Sequence, residues 1–386
     1  MSIMRPVNLY YPRKISFGAG CIKELSKDVV VQGISRIFLL TIPEILPVLE
    51  RFLADLRRMN LGLKVDKSIT REPILEDLDR VLAGVADFGP DLVLGIGGGS
   101  VMDMAKLVAA QLDNPQTLEE ITGINKLAGR GTKLVCVPTT SGTGSEVSPN
   151  AILLDEREQL KKGVISPHLI PDMCYIDPEL TLTVPRGVTA ATGIDAFTHC
   201  LEAYVNKNSH PLVDSYALEG MRLIEKSLLA AVMDGTNLQA RSDLSLGSLY
   251  GGMCLGPVNT TAIHALSYPL GSEFHIPHGL SNTILLPYVM EFNLPAAKER
   301  YADVANIFGI EHGNNAEQVA KSGIQAIRDL IRKCGLPSSL SEIKIPGDAI
   351  PEMAVSAMKV QRLLVNNPRE VNLEDVIEIY KSAYKK

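Results

Sequence analysis

No run in this 386-residue chain approaches the ~20 consecutive apolar residues of a membrane-spanning helix. The opening Met-Ser-Ile-Met-Arg-Pro-Val-Asn also lacks the apolar centre of a secretory leader, so a cytoplasmic protein is expected. Cysteine is sparse and scattered. The six residues at positions 21, 136, 174, 200, 254 and 334 form no C-x-x-C pair and no framework spacing. That excludes a disulfide scaffold and leaves reduced thiols in apolar surroundings. Charge of one sign is also lacking: a net charge of −6 gives no support to nucleic-acid binding. Internal repeats and low-complexity linkers are absent. What remains, 46% hydrophobic and 21% charged residues, is the balance of a folded globular chain long enough for two domains.

The first half alternates strand and helix signals. Residues 9–18 read as a short strand pair, an edge able to meet a second copy of the chain. Apolar runs at 37–41, 91–96, 133–137 and 173–176, with a weaker one at 63–67, have strand length. Helical periods fall between them at 45–59, 74–88 and 101–112. This alternation implies a doubly wound, mostly parallel sheet, the class that binds nucleotides at strand C-termini. After Pro185 the helical period dominates, at 187–205, 212–233, 237–254, 259–268, 297–308, 315–334 and 372–384. The expected division is an α/β domain over 1–185 and an all-helical domain over 186–386.

Two loops in the first half carry nucleotide chemistry. Gly95-Ile-Gly97-Gly98-Gly99-Ser100-Val-Met-Asp103 lies where a strand passes into a helix. Glycines there let backbone approach a pyrophosphate, and a helix N-terminus supplies free N–H groups. It is neither a Rossmann G-x-G-x-x-G nor a P-loop, and alone it is equally a tight strand-to-helix turn. The second loop, Pro138-Thr139-Thr140-Ser141-Gly142-Thr143-Gly144-Ser145-Glu146, adds hydroxyls after another buried strand.

The second half carries a metal pattern. Asp195 and His199 are one helical turn apart, His264 and Tyr268 repeat the spacing, and His278 sits between Pro277 and Gly279 at a turn or helix start. Either pair alone is more often an ordinary helical pairing. Burying a carboxylate with two or three imidazoles and no cation would, however, cost several kcal/mol. One carboxylate and three imidazoles suit a divalent first-row metal with room for a substrate oxygen. Cys200 points about 100° away from His199 on a helix and is not a ligand.

The runs Gly193-Ile-Asp195-Ala-Phe-Thr-His199-Cys-Leu-Glu202-Ala-Tyr204 and His264…Pro-Leu-Gly271…Pro277-His278-Gly279 resemble the two signatures of the iron-containing (group III) alcohol dehydrogenases. Both glycine loops match that family too. The resemblance implies a dehydroquinate synthase-like architecture, Fe2+ (with Zn2+ as the alternative) on Asp195, His199, His264 and His278, and NAD or NADP as cofactor. It implies hydride transfer between the cofactor and a small primary alcohol or aldehyde, and a homodimer or higher homo-oligomer. Carried over residue by residue, Gly97, Gly98, Ser100 and Asp103 would contact the pyrophosphate and nicotinamide side. Thr139, Thr140 and Ser145 would line the cofactor site, and Lys162 would reach the ribose.

Two positions depart from the family pattern. After Thr41, beside the adenosine ribose, many members have an aspartate that would repel a 2′-phosphate; here stands Ile42, so NADP(H) should be tolerated. Tyr268 replaces a common histidine, and a phenol is a poorer proton relay at neutral pH. His275, seven residues on, is a second candidate for that role. Rival readings are a dehydroquinate synthase-like lyase, a reductase of hydroxy-acid or maleylacetate-like substrates, and a non-catalytic metal- and nucleotide-binding protein. The first two need a cationic anchor, and the region 195–280 offers only Lys207, Arg222, Lys226 and Arg241.

Overall fold

The computed structural model describes residues 5–158, 160–311 and 315–384. The chain divides into two compact units, Leu9–Val184 and Pro185–Lys386, with the residues before Leu9 belonging to the second. No helix among the described residues is long and apolar enough to cross a membrane.

The first unit is built on strands β1 (Lys14–Phe17), β2 (Arg36–Leu40), β3 (Gly62–Asp66), β4 (Leu92–Gly97), β5 (Gly123–Ile124), β6 (Lys133–Pro138), β7 (Asn150–Asp155), β8 (Leu160–Ile165) and β9 (Met173–Ile176). Six of them form a parallel sheet in the order β1-β9-β6-β4-β2-β3. The central strands are apolar without interruption because both faces are covered. Ile37 and Leu39 of β2, with Leu92, Leu94 and Ile96 of β4, pack on the helices α1 (Ile22–Val31) and α2 (Leu46–Arg58). Phe38, Leu40 and Val93 face the opposite way, onto α3 (Leu75–Val85) and α4 (Gly99–Gln111). The side-chain period of two thus serves two cores at once.

Three details differ from the sequence reading. Residues 9–18 form no strand pair: β1 alone is a strand, an edge paired in parallel with β9. Helix α4 begins at Gly99, two residues earlier than expected, so Ser100 lies in its first turn. A second sheet, β5-β8-β7, had not been foreseen; its β7–β8 pair is antiparallel. The short helix α5 (Leu118–Ile121) precedes β5.

The second unit is helical throughout: α6 (Arg186–Val205), α7 (Pro211–Met233), α8 (Leu238–Leu255), α9 (Ala262–Phe274), α10 (His278–Ile307), α11 (Ala316–Lys333), α12 (Ile350–Met358), α13 (Gln361–Leu364) and α14 (Leu373–Tyr384). Helix α9 runs through Pro269 to Phe274 instead of stopping at 268, because tertiary burial of Leu266, Leu270 and Gly271 outweighs one lost backbone hydrogen bond. Helix α10 extends much further upstream than expected and opens on His278, with a break in helical geometry at Ala297, two residues after Pro295.

Candidate metal centre and cofactor loops

Helix α6 is buried almost all round from Gly193 to Val205. Asp195, His199 and Glu202, at i, i+4 and i+7, share one stripe of it, so three polar side chains enter the core together. His264 comes from the first turn of α9 and His278 is the first residue of α10. Gly279 permits that approach: a Cβ there would stand 2.7 Å from the Ala191 carbonyl of α6. One ligand atom from each of Asp195, His199, His264 and His278 falls within a 4.8 Å span. His264 Nε2 lies 3.0 Å from His199 Nε2, and the Nε2 atoms of His264 and His278 each lie 3.7 Å from Asp195 Oδ1.

Glu202 organises this cluster from the side. Its carboxylate accepts from the Thr261 hydroxyl at 2.7 Å and the Ile263 N–H at 2.7 Å, capping the otherwise uncapped start of α9. Its other oxygen meets His264 Nδ1. With Nδ1–H donating there, Nε2 of His264 keeps its lone pair for the cluster. Asn282, one turn into α10, places its amide nitrogen 2.7 Å from Asp195 Oδ1 and 3.1 and 3.2 Å from the Nε2 atoms of His264 and His278. Burial pushes the Asp195 carboxyl up, but the three imidazoles and the Asn282 amide more than reverse this and hold it below its ordinary value. The core therefore gathers a carboxylate and inward-turned imidazole nitrogens, with no lysine or arginine paired to that carboxylate among the described residues. One oxygen and three nitrogen donors in this arrangement fit a divalent cation.

Tyr268 lies one turn beyond His264, buried, with its ring 6.4 Å from that of His278. Its hydroxyl accepts a 2.8 Å hydrogen bond from Arg362. His275 does not join the cluster. It is exposed, in the left-handed region at φ 55°, ending α9 with its N–H on the Gly271 carbonyl.

In the first unit the two loops are neighbours. A Cβ on Gly97 would stand 2.7 Å from Val101, so only glycine lets β4 turn into α4 this tightly. Gly98 is the extended residue before the helix, and a Cβ there would face Thr140 at 3.6 Å. The Thr139 N–H bonds the Gly97 carbonyl at 2.9 Å. Asp103 and Ser145 are engaged with each other: the serine hydroxyl donates to the carboxylate at 2.5 Å, and the Ile152 N–H adds a bond at 3.0 Å. Fully buried Lys106 donates to the carbonyls of Ser148 and Asn150 at 3.0 and 2.8 Å. Thr41 follows β2 with its N–H on the Asp66 carbonyl, and its buried hydroxyl has no partner among the described residues. Lys162, on β8, is held by Asp155 at 2.6 Å and Glu158 at 3.4 Å.

Residues 12–178 match the family description "Iron-containing alcohol dehydrogenase", and residues 189–384 match "Fe-containing alcohol dehydrogenase family, C-terminal". Long-chain-alcohol dehydrogenase 1 of Geobacillus thermodenitrificans is 35% identical, covering 100% of this chain and 98% of its own length. A crystal structure of 1,3-propanediol oxidoreductase superposes with a TM-score of 0.95 at 30% identity, over 98% of this chain and 100% of that one. A sulfoacetaldehyde reductase from Bifidobacterium kashiwanohense, solved in complex with NAD+, gives 0.88 at 25% identity over 98% and 99%.

The chain belongs to the iron-containing alcohol dehydrogenase family. It is a metal-dependent nicotinamide oxidoreductase of small alcohols or aldehydes.

Three residues of this iron-containing alcohol dehydrogenase escaped the sequence reading. Glu202 had been quoted only as part of a signature; its i+7 spacing from Asp195 was the available signal. Asn282, four residues past His278, offered the same kind of spacing. Arg362 had none, being 94 positions from the tyrosine it bonds.

Proposed function

We propose that Asp195, His199, His264 and His278 hold Fe2+, with Zn2+ also admitted by the donor set, and that the enzyme interconverts a small primary alcohol and its aldehyde. The observation that carries this reading is the convergence of the four donors within 4.8 Å around a His264 whose tautomer Glu202 fixes. A divalent ion there supplies Lewis-acid polarisation of the substrate oxygen. The protein's own part is positional. Glu202 keeps His264 Nε2 turned inward, Asn282 braces Asp195, and Gly279 lets His278 reach the cluster. In the α/β unit, Gly97, Gly98 and the N–H groups opening α4 form the cradle for the pyrophosphate, with Thr139 and Thr140 beside it. Asp103 and Ser145 shape that cradle from within, and Ser100 sits in the first turn of the helix that bounds it.

Ile42, extended and packed against the apolar core beside Thr41, brings no carboxylate to the adenosine ribose, so NADP(H) should be tolerated alongside NAD(H). Lys162 is turned onto two carboxylates, which weakens its assignment to the ribose. The edge strand β1 is the surface we assign to a homodimer contact.

The test is turnover. Protein stripped of metal and reloaded anaerobically with Fe2+ or Zn2+ should oxidise NADH and NADPH with short aldehydes only when an ion is restored. A preference for NADH of a hundredfold or more, roughly 3 kcal/mol, would overturn the NADP reading.

A further inference from the structure

The pair Tyr268–Arg362 is left unused by the chemistry above. Arg362 rides on the short turn α13, anchored by the buried Leu363 and Leu364. Asn366 fixes that turn, donating to the Arg362 carbonyl at 3.3 Å and to the Thr260 carbonyl, just before α9, at 3.2 Å. The guanidinium is therefore a placed group. It bonds the Tyr268 hydroxyl at 2.8 Å and lies 5.7 Å from the centre of that ring, which in turn stands 6.4 Å from the His278 ring.

Among the described residues no carboxylate pairs with Arg362, and the one side-chain hydrogen bond uses a single N–H of the five a guanidinium carries. Three of the four cations in the window 195–280 are committed elsewhere: Arg222 lies on Glu219 at 2.7 Å, Lys226 on Asp243 at 3.1 Å, and buried Arg241 on the Gly235 carbonyl and the Thr189 hydroxyl, while the fourth, Lys207, is exposed. A partly exposed guanidinium with free N–H donors, one aromatic ring removed from His278, is able to take an anion arriving from outside.

We propose that Arg362, presented over Tyr268, recognises an anionic terminus on the substrate, so that the preferred aldehydes carry a carboxylate or a sulfonate. The planar fork of the guanidinium matches either group through two parallel N–H bonds. The proposal rests on the metal-site reading above, which sets the carbonyl at the Asp195–His278 cluster. Reduction then adds a hydride from the reduced nicotinamide to the carbonyl carbon and a proton to its oxygen, giving a hydroxy acid or hydroxy sulfonate with the anion unchanged. The structure thus supplies the cationic anchor that the sequence window 195–280 lacked.

The test compares butanal, 4-oxobutanoate and a sulfonated aldehyde of similar length on the Fe2+-loaded full chain. Wild-type kcat/KM should favour at least one anionic aldehyde over butanal by about tenfold or more. Arg362→Met should depress the anionic substrate at least about twentyfold more than butanal, chiefly through KM, and Arg362→Lys should recover part of the loss. Calorimetric titration with unreactive butanoate and propanesulfonate gives a readout independent of turnover and separates the two anions. At least one should bind wild type about tenfold more tightly than Arg362→Met. Equal losses on butanal and the anionic aldehydes would make Arg362 a support for Tyr268 alone and overturn the proposal. So would titrations in which neither anion distinguishes the variant. Absence of turnover with every aldehyde would instead count against the metal-site reading, while the titrations still decide Arg362.

Discussion

The two functional regions are made from different material. In the helical unit the candidate site consists of side chains: a carboxylate and three imidazoles drawn from α6, α9 and α10, with Glu202 and Asn282 behind them. In the α/β unit it consists of backbone exposed by missing side chains, Gly97 and Gly98 opening onto α4, with Asp103 and Ser145 spent on each other. Side chains that hold a compact cation must be exact in number and tautomer. A cradle for an extended dinucleotide needs N–H groups and clearance. The first should fail abruptly on single substitutions, the second by degrees.

The largest effect should come from His264→Ala. If it is one of four metal ligands as proposed, its loss should remove several kcal/mol of stabilisation of the substrate oxygen, on the order of a thousandfold in kcat/KM. Metal content by mass spectrometry should fall with it, while nucleotide affinity is kept. Full turnover in this variant would remove His264 from the ligand set. Next comes Glu202→Gln, which keeps the shape but can present an amide N–H to Nδ1 and favour the other tautomer. Metal affinity should drop roughly 10–100-fold, read by competition with a chelator. Gly97→Ala tests the other region. The added methyl meets Val101, so NAD(H) binding should weaken by about tenfold, or ~1.4 kcal/mol, with metal content untouched.

Glu146 gives a pH signature to the loop region. Burial, partly offset by its own backbone N–H and by Lys106, raises its carboxyl to about 7. The folded chain then keeps a proton that the unfolded chain has lost, so stability falls as pH rises from about 4.5 to about 7 and is level on either side. Up to ~3 kcal/mol depends on this group, and denaturant midpoints for Glu146→Gln should lose that part of the slope. An unchanged profile would show that Glu146 ionises freely. The smallest effect belongs to Lys162→Ala. Its nearer partner, Asp155, is buried but keeps the N–H bonds of Arg157 and Glu158, and its other partner, Glu158, is exposed, so the loss should be on the order of 1 kcal/mol and nucleotide affinity should move less than about threefold.

Legibility in the sequence followed the same divide. The six-stranded sheet could be read because its strands are short apolar runs between helical periods, and β9 was placed to the residue. The β7–β8 pair could not: Leu160-Lys-Lys-Gly-Val-Ile has no clean alternation and no two-residue turn signal marks the hairpin. The proline rule hid the second half of α9, since tertiary packing can absorb one missing hydrogen bond. The four ligand candidates were visible because Asp and His at helical spacing are conspicuous in apolar surroundings. His275 shared their chemistry but not their placement, for its left-handed backbone turns it out to solvent. Arg362 was invisible for a topological reason: only folding brings it to Tyr268.

Asp103 and Lys106, one turn apart on α4, reach over to Ser145, Ser148, Asn150 and Ile152. These bonds rivet the helix opened by the first glycine loop to the second loop and the strand beyond it. On the proposed cofactor site the dinucleotide would therefore dock on a surface assembled in advance, with little ordering left to do. Its association should follow a single kinetic phase whose rate is linear in nucleotide concentration, without the plateau that a slow loop closure would impose.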